Sequence, residues 1–189
     1  MKSKIIEKIE IHYGIEAQVE NNEVNLNSNV KEIRRRFNFY GIEISKQENS
    51  ISIESKKATK KEMKVIYTIK AHIINMISGL KKPFVYKLEV AYVHFPMTLE
   101  FNKEKRELLI KNFLGEKNPR KAEIQKEVDI EINKNIITLI SNNKELAGQA
   151  AANIEKSTRI RNRDRRKFQD GIFIIEKPGR AGQWKEWNS

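Results

Sequence analysis

The stretch T-K-K-E-M-K-V-I-Y-T-I-K-A-H-I-I-N-M-I-S-G-L, residues 59–80, decides the fold that the sequence predicts. It opens on a capping-box pattern, because Thr59 can accept a hydrogen bond from a first-turn amide while Glu62 reaches back to the Thr59 amide. Apolar residues then recur at helical spacing until a glycine and a proline end the run. We therefore expect a helix over residues 58–80.

Short strand patterns precede this helix in residues 1–57. Apolar and polar residues alternate there, most strictly in residues 50–53, and glycine and asparagine clusters separate the runs. This alternation predicts an antiparallel meander with one polar face. Three consecutive arginines at 34–36 would alternate between faces of a strand, so they are not expected to form one binding surface.

The order of strands followed by one capped helix then occurs again. Asn142, with Glu145 three positions later, predicts a second helix over residues 144–160. The strand-like segments before it are residues 85–95, 98–101, 107–113, 128–132 and 135–140. The sequence thus predicts an α+β protein of two tandem similar domains, each a small antiparallel sheet packed against one helix. Their expected bounds are residues 1–81 and 82–177, with a basic tail at 178–189.

The apolar faces of the two helices differ. In the first, Val65, Ile69 and Met76 lie off the main apolar stripe, so this helix is expected to be covered on two sides. The second is rich in alanine and contains Gly148. Small residues there permit close approach either to the sheet or to an RNA backbone, and packing on the sheet is the favoured interpretation.

Positive charge is concentrated at the C-terminal end. The chain has 37 lysines and arginines against 25 aspartates and glutamates, a formal net charge of +12. Residues 156–189 hold ten of these cations and four of the anions, so half of the excess lies in this segment. Such a balance favours an anionic partner, either nucleic acid or an anionic membrane surface.

Residues 156–177 combine this charge with apolar anchors. Phe168 and residues 172–175 are apolar, and Asp170-Gly171 between them predicts a tight turn. Cations held by a core on both sides lie at fixed positions, which suits folded RNA; the alternative is a solvated charged loop. The candidate RNA-binding residues of this segment are Lys156, Arg159, Arg161, Arg163, Arg165, Arg166, Lys167 and Lys177.

A second basic candidate is residues 111–121, which contain glycine and proline and lie between two strand patterns. This segment fits RNA contact and a solvated hairpin tip equally well, and its candidates are Lys111, Lys117, Arg120 and Lys121. In the tail, Arg180 precedes two tryptophans, a composition suited to stacking on RNA or to a disordered end.

Catalytic and metal-binding patterns are missing from the sequence. It has no cysteine, and its histidines, His12, His72 and His94, lack metal-ligand spacing; His72 and His94 are interpreted as structural. We predict no catalytic residue, metal, cofactor or small-molecule substrate. No apolar run approaches the roughly 18–20 residues of a membrane helix, and residues 1–10 do not resemble a signal peptide. We therefore expect a soluble cytoplasmic protein without a membrane partner.

Several motifs together resemble the universal large-subunit ribosomal protein L6 family, in its archaeal/eukaryotic form. The similarity covers nearly the whole chain and is densest in residues 71–177. The motifs are A-H-I-I-N-M-I-S-G at 71–79, F-V-Y-K-L at 84–88, Y-V-H-F-P at 92–96, N-F-L-G-E-K at 112–117, P-R-K at 119–121, Q-A-A-A-N-I-E at 149–155 and F-Q-D-G-I at 168–172.

This resemblance implies a structural protein of the ribosome rather than an enzyme. It implies two similar α+β domains, and contacts with large-subunit rRNA near the factor-binding region and the sarcin–ricin loop, with other large-subunit proteins as neighbours. Carried onto this sequence, the RNA contacts fall on residues 156–180 and 111–121. The alternatives from the residues alone are a free-standing nucleic-acid-binding module, such as an RNA chaperone or chromatin-type protein, and, less favoured, an RNA-processing enzyme.

Overall fold

The computed structural model describes residues 3–11, 14–28, 31–164 and 166–179. The chain divides into two compact units, Met1–Lys82 and Pro83–Ser189, each with its own hydrophobic core. Three of the residues singled out in the sequence, His12, Arg165 and Arg180, lie outside the described residues, as does most of the predicted tail.

Six strands and one helix follow one another in the described part of the N-terminal unit: β1 (Ser3–Glu10), β2 (Ile15–Glu20), β3 (Glu23–Ser28), β4 (Glu32–Arg36), β5 (Glu43–Gln47), β6 (Ser50–Ala58) and α1 (Lys60–Lys81). These strands form two antiparallel sheets, ordered β1-β6-β5 and β2-β3-β4. The predicted single meander is therefore correct for only one sheet. In the other, β1 pairs with β6, which follows it by some 40 residues, because Ile9 and Ile51 lie opposite each other in the core.

The C-terminal unit repeats this order. Its described elements are β7 (Phe84–Ala91), β8 (Thr98–Asn102), β9 (Glu107–Lys111), β10 (Arg120–Glu123), β11 (Asp129–Asn133), β12 (Ile136–Ser141), α2 (Lys144–Ser157) and β13 (Gly171–Glu176). The sheets are β11-β12-β7-β13 and β8-β9-β10, so β7 to β12 pair as β1 to β6 do. The predicted α+β fold of two similar domains is confirmed. The C-terminal unit also has β13, which pairs with β7.

Helix α1 begins as expected, and it buries residues both on and off the main apolar stripe, as a helix covered on two sides should. Its capping box is formed, with Glu62 accepting from the Thr59 amide at 2.8 Å. The buried residues include Ile69 and Met76, which the sequence placed off the stripe, whereas Met63 and Tyr67 are exposed. The helix contacts strands of both sheets in its own unit. Two small sheets require a broader apolar face than one sheet does, which explains why residues off the main stripe are buried.

Helix α2 begins at Lys144, as predicted, but its N-cap differs and it ends three residues earlier. The N-cap is Asn143 rather than Asn142. Its Oδ1 accepts from the Glu145 amide at 3.0 Å, and its own amide donates to Ser141 Oγ at 3.1 Å. Four residues on one side of the helix are buried: Ala147, Ala150, Ala151 and Ile154. A Cβ on Gly148 would lie 3.0 Å from the Tyr86 hydroxyl of β7. The small residues therefore pack on the sheet.

Three predicted strand or turn boundaries were wrong. Strand β7 ends at Ala91 rather than at residue 95, and residues 92–97 form a loop. Strand β9 ends at Lys111, since Asn112 takes a left-handed conformation with φ 60°. The Asp170-Gly171 pair forms no tight turn: Gly171 starts β13, and Asp170 is buried and accepts from the Val93 amide at 3.0 Å.

Candidate nucleic-acid interface

Three connections meet at one end of the C-terminal unit. They are residues 92–97 after β7, residues 112–119 between β9 and β10, and residues 158–170 between α2 and β13. Asn112 Nδ2 donates to the Pro96 carbonyl at 3.0 Å, which joins the first two connections. The rings of His94 and Phe168, 5.6 Å apart between centroids, join the first and third. We call these three connections the loop cluster.

A glycine forms the turn by which the second connection meets the first. Gly115 has φ +75°, which L side chains rarely adopt, whereas a Cβ there would make ordinary van der Waals contact with the Phe95 ring, at 3.5 Å. The β9–β10 connection can therefore fold back against the 92–97 loop.

The third connection contains the predicted cations, and we call residues 159–169 the basic loop. Its two ends are tied together, because the Ile172 amide donates to the buried Thr158 Oγ1 at 3.0 Å. Within the loop, Asp164 organises the backbone: Oδ1 accepts from the Arg166 amide at 3.0 Å, and its carbonyl accepts from the amides of Lys167 and Phe168. The basic loop is thus held at both ends and in the middle by polar groups. Of the predicted apolar anchors, Ile172 is buried, whereas Phe173 and Ile175 are exposed.

The cations of the basic loop face solvent. Arg159, Arg161, Arg163, Arg166 and Lys167 are exposed, and so is Lys156 in the last turn of α2. A cation at a helix C-terminus is also favoured by the helix dipole. The guanidinium of Arg163 lies over the Phe168 ring at 4.9 Å, a cation–π contact that fixes its direction. Arg166 pairs with Asp164 at 3.3 Å.

The four other predicted lysines divide into three groups. Lys117 is exposed within the loop cluster. Lys111 and Lys121 lie on β9 and β10 and pair with Glu100 and Glu107, at 2.7 and 3.9 Å. Lys177 follows the last residue of β13, whereas the basic loop precedes the first. A six-residue strand is about 20 Å long, so Lys177 lies away from the cluster.

Arg120 occupies a different position from the one that the sequence suggested. Its Nη2 and Nε donate to the two carboxylate oxygens of Glu116 at 2.6 and 2.8 Å. Its Nη1 donates to the carbonyls of Ser157 and Arg159 at 2.9 and 3.1 Å, and the guanidinium lies 4.2 Å from the centroid of the Phe113 ring. The hydrogen bonds from Arg120 to Glu116 hold the pKa of the Glu116 carboxyl below its ordinary value, and the positive charges of Arg120 and Arg163 add to the effect.

Exposed aromatic residues of the 92–97 loop were missed by sequence reasoning. Tyr92 and Phe95 are 41% and 45% exposed, and Val93 is 72% exposed, in the loop whose His94 contacts Phe168 of the basic loop. The sequence analysis assigned them to a strand. Pro96 in that segment was the signal that could have found the loop, because proline is confined to strand edges and ends.

The described residues contain neither a metal-binding cluster nor a membrane-spanning helix. Among the described residues, no three acidic or histidine side chains are placed to hold a metal ion. Neither described helix is long and apolar enough to cross a membrane. His72 packs near Phe37, with ring centroids 6.2 Å apart, and His94 Nδ1 lies 3.5 Å from Asp170 Oδ1, contacts that fit structural roles.

Comparison with known proteins identifies the family. The family model described as ribosomal protein L6 matches residues 102–171. Large ribosomal subunit protein uL6 of Methanococcus vannielii is 40% identical over 177 residues, covering 94% of this chain and 96% of the relative. The protein of the same name from Methanobrevibacter smithii is 40% identical over 173 residues, covering 92% and 96%. The chain belongs to the ribosomal protein L6 family.

Proposed function

We propose that this protein binds large-subunit rRNA through the loop cluster of its C-terminal unit, near the factor-binding region and the sarcin–ricin loop. At the level of the family, it is a structural component of the large ribosomal subunit in the cytoplasm, associated with the rRNA and proteins of that subunit, and not an enzyme. The site on the rRNA and the residues that contact it are the proposal.

The observation that carries the proposal is the row of exposed cations on a loop that the fold holds in place. A mobile basic tail loses conformational freedom when it binds, whereas the basic loop is already ordered by Thr158, Asp164 and Asp170. Arginines directed outward from a rigid body recognise the shape and phosphates of folded RNA rather than its sequence. Exposed Tyr92 and Phe95, in the 92–97 loop that contacts the basic loop through His94, supply surfaces on which unpaired bases can stack.

Arg161 and Lys167 are the best residues for a test. Both are exposed, and within the described part of the chain neither side chain has a hydrogen-bond or ion-pair partner, so replacing them should leave the fold intact. The matched control is Lys103 and Lys105, two exposed lysines in the β8–β9 turn, at the other end of the β8-β9-β10 sheet.

The first prediction concerns salt dependence. We expect wild-type affinity for protein-free large-subunit rRNA to fall by orders of magnitude between roughly 50 and 200 mM salt. Arg161→Ala with Lys167→Ala should weaken binding and reduce the slope of log affinity against log salt by about 1.4–1.8, since each lost phosphate contact removes about 0.7–0.9. The Lys103→Ala/Lys105→Ala control should bind as wild type does. Equal losses from both double variants would mean that binding is nonspecific.

The position on the rRNA requires a separate measurement. Hydroxyl-radical footprinting of large-subunit rRNA, with and without the protein, should show protection at the sarcin–ricin loop. Protection confined to other rRNA helices would disprove this location while leaving rRNA binding itself intact. Co-sedimentation with the large subunit after a moderate salt wash distinguishes a ribosomal component from a free-standing nucleic-acid-binding module.

A further inference from the structure

We infer that Arg120 is a positioning residue, which with Glu116 and Phe113 clamps the β9–β10 connection to the end of α2 and so presents the basic loop to rRNA without contacting the RNA. This inference rests on the proposed function and revises one of its candidate contacts.

The geometry of the Arg120 side chain supports a clamp. Its guanidinium makes a bidentate pair with Glu116, with Nη2–Oε1 and Nε–Oε2 distances of 2.6 and 2.8 Å, while one face covers the Phe113 ring. Four of its five N–H groups therefore have partners within the protein, two on Glu116 and two on backbone carbonyls. An RNA phosphate would have to displace Glu116 to form the usual bidentate contact.

The carbonyls of Ser157 and Arg159 identify the segment that Arg120 holds. Ser157 is the last residue of α2, and Arg159 is the first residue of the basic loop. Their bonds to Arg120 Nη1, 2.9 and 3.1 Å long, therefore fix the point at which the chain leaves the helix. Glu116 and Phe113 belong to the β9–β10 connection, so one side chain joins two parts of the loop cluster.

The affinity for rRNA should consequently depend on Arg120 because it orders the basic loop, and not because of its charge. Without the clamp, the start of the basic loop samples more conformations, and rRNA must order it at a cost in affinity. The number of phosphate contacts would stay the same. The affinity should fall, but its dependence on salt should not change, because the slope counts the phosphates that are neutralised.

Arg120→Ala and Arg161→Ala separate these two effects. The full-length variants are titrated with protein-free large-subunit rRNA between roughly 50 and 200 mM salt. Arg120→Ala should weaken binding about tenfold at every salt concentration with an unchanged slope, the loss expected when charge-assisted hydrogen bonds are removed. Arg161→Ala should reduce the slope by about 0.7–0.9. Arg120→Lys should bind as weakly as Arg120→Ala, because lysine lacks the planar fork.

For Glu116→Gln, a direct electrostatic role and a clamp predict opposite changes in rRNA affinity. The substitution removes a negative charge from the loop cluster, so a purely electrostatic surface would bind rRNA more tightly. A clamp would be weakened, and binding would become weaker. Hydrogen exchange of residues 158–164 in the unbound variant should also become faster than in wild type.

Several outcomes would overturn the clamp. These are a reduced salt slope for Arg120→Ala, wild-type binding by Arg120→Lys, or unchanged or tighter binding by Glu116→Gln. If Arg120→Ala does not fold, as judged by circular dichroism, the lysine and glutamine variants decide the question because they preserve most of the side-chain volume. Wild-type protein that fails to bind rRNA, or an Arg161→Ala slope that does not change, would refute the proposed function instead.

Discussion

At the residue scale, the single anion of the basic stretch has a specific structural role. Asp164 is the only acidic residue in residues 156–167, among seven lysines and arginines. Its carboxylate accepts from the Arg166 amide and lies 3.3 and 3.4 Å from two guanidinium nitrogens of Arg166. This arrangement is typical of aspartate in turns, where the side chain bonds the backbone two residues later. The anion therefore shapes the loop that carries the cations.

Two substitutions of Asp164 separate the effect of its hydrogen bond to the Arg166 amide from the effect of its charge. Asp164→Asn keeps an Oδ1 acceptor for the Arg166 amide and removes a negative charge, so rRNA binding should be equal or tighter. Asp164→Ala removes the same charge but also the acceptor, at a cost of about 0.5–1.5 kcal/mol in loop order, so binding should be weaker than for Asn. Titration with large-subunit rRNA measures both, and identical affinities would show that the turn is irrelevant to binding.

At the element scale, β13 is what distinguishes the two halves of the chain. Strands β1 to β6 and β7 to β12 have the same pairing, but β7 gains a further neighbour in β13. The basic loop is the connection that leads from α2 to this strand, so its cations owe their fixed position to the added strand. Among the described residues of the N-terminal unit, no strand pairs with β1 in the corresponding place.

The bond between Thr158 and Ile172 should therefore stabilise β13. Both residues are buried, so Thr158→Val leaves the Ile172 amide without its partner and should lower the free energy of unfolding by about 1–3 kcal/mol. Thr158→Ser retains the hydroxyl and should cost less. Urea denaturation measures both variants, and equal losses would mean that the methyl group of Thr158, rather than its hydroxyl, matters.

At the scale of the whole molecule, the two units carry equal net charge but distribute it differently. Residues 1–82 contain sixteen lysines and arginines against ten aspartates and glutamates, a net charge of +6, which is half of the +12 of the chain. Several of these cations pair on separate strands and on the helix, such as Lys70 with Glu7 at 2.7 Å. In residues 83–155 the charges balance, at eleven of each sign, so the excess of the C-terminal unit lies beyond them.

Separate cores predict that the units respond separately to damage. Ile69 is fully buried in the core of the N-terminal unit, and Ile69→Ala should cost about 2–5 kcal/mol of stability there. Hydrogen exchange should become faster in residues 3–82 but not in residues 83–179, and rRNA affinity should be retained. Faster exchange throughout the chain, with loss of binding, would indicate one cooperative unit.

Much of the fold could be predicted because its determinants are local in sequence. The Thr59 capping box, the second capped helix and the alternating strands specified two helices at the ends of two strand-rich segments. The order of these segments then predicted the duplication. Element ends were less predictable: the choice of Asn143 as the N-cap of α2 depends on Ser141, whose side chain donates to the Glu127 carbonyl of a distant segment at 2.8 Å.

The sequence by itself determined the class of fold, its duplication and the basic stretch, since periodicity, capping patterns and charge are properties of neighbouring residues. Only the tertiary structure decided which of those cations share a surface. It placed Arg159, Arg161, Arg163, Arg166 and Lys167 on a loop whose Phe168 contacts His94 of the 92–97 loop. It also put Lys177 at the other end of β13 and made Arg120 a bridge between two connections. The physical reason is that these roles depend on partners such as Glu116 and the Ser157 carbonyl, which folding brings close and no sequence pattern records.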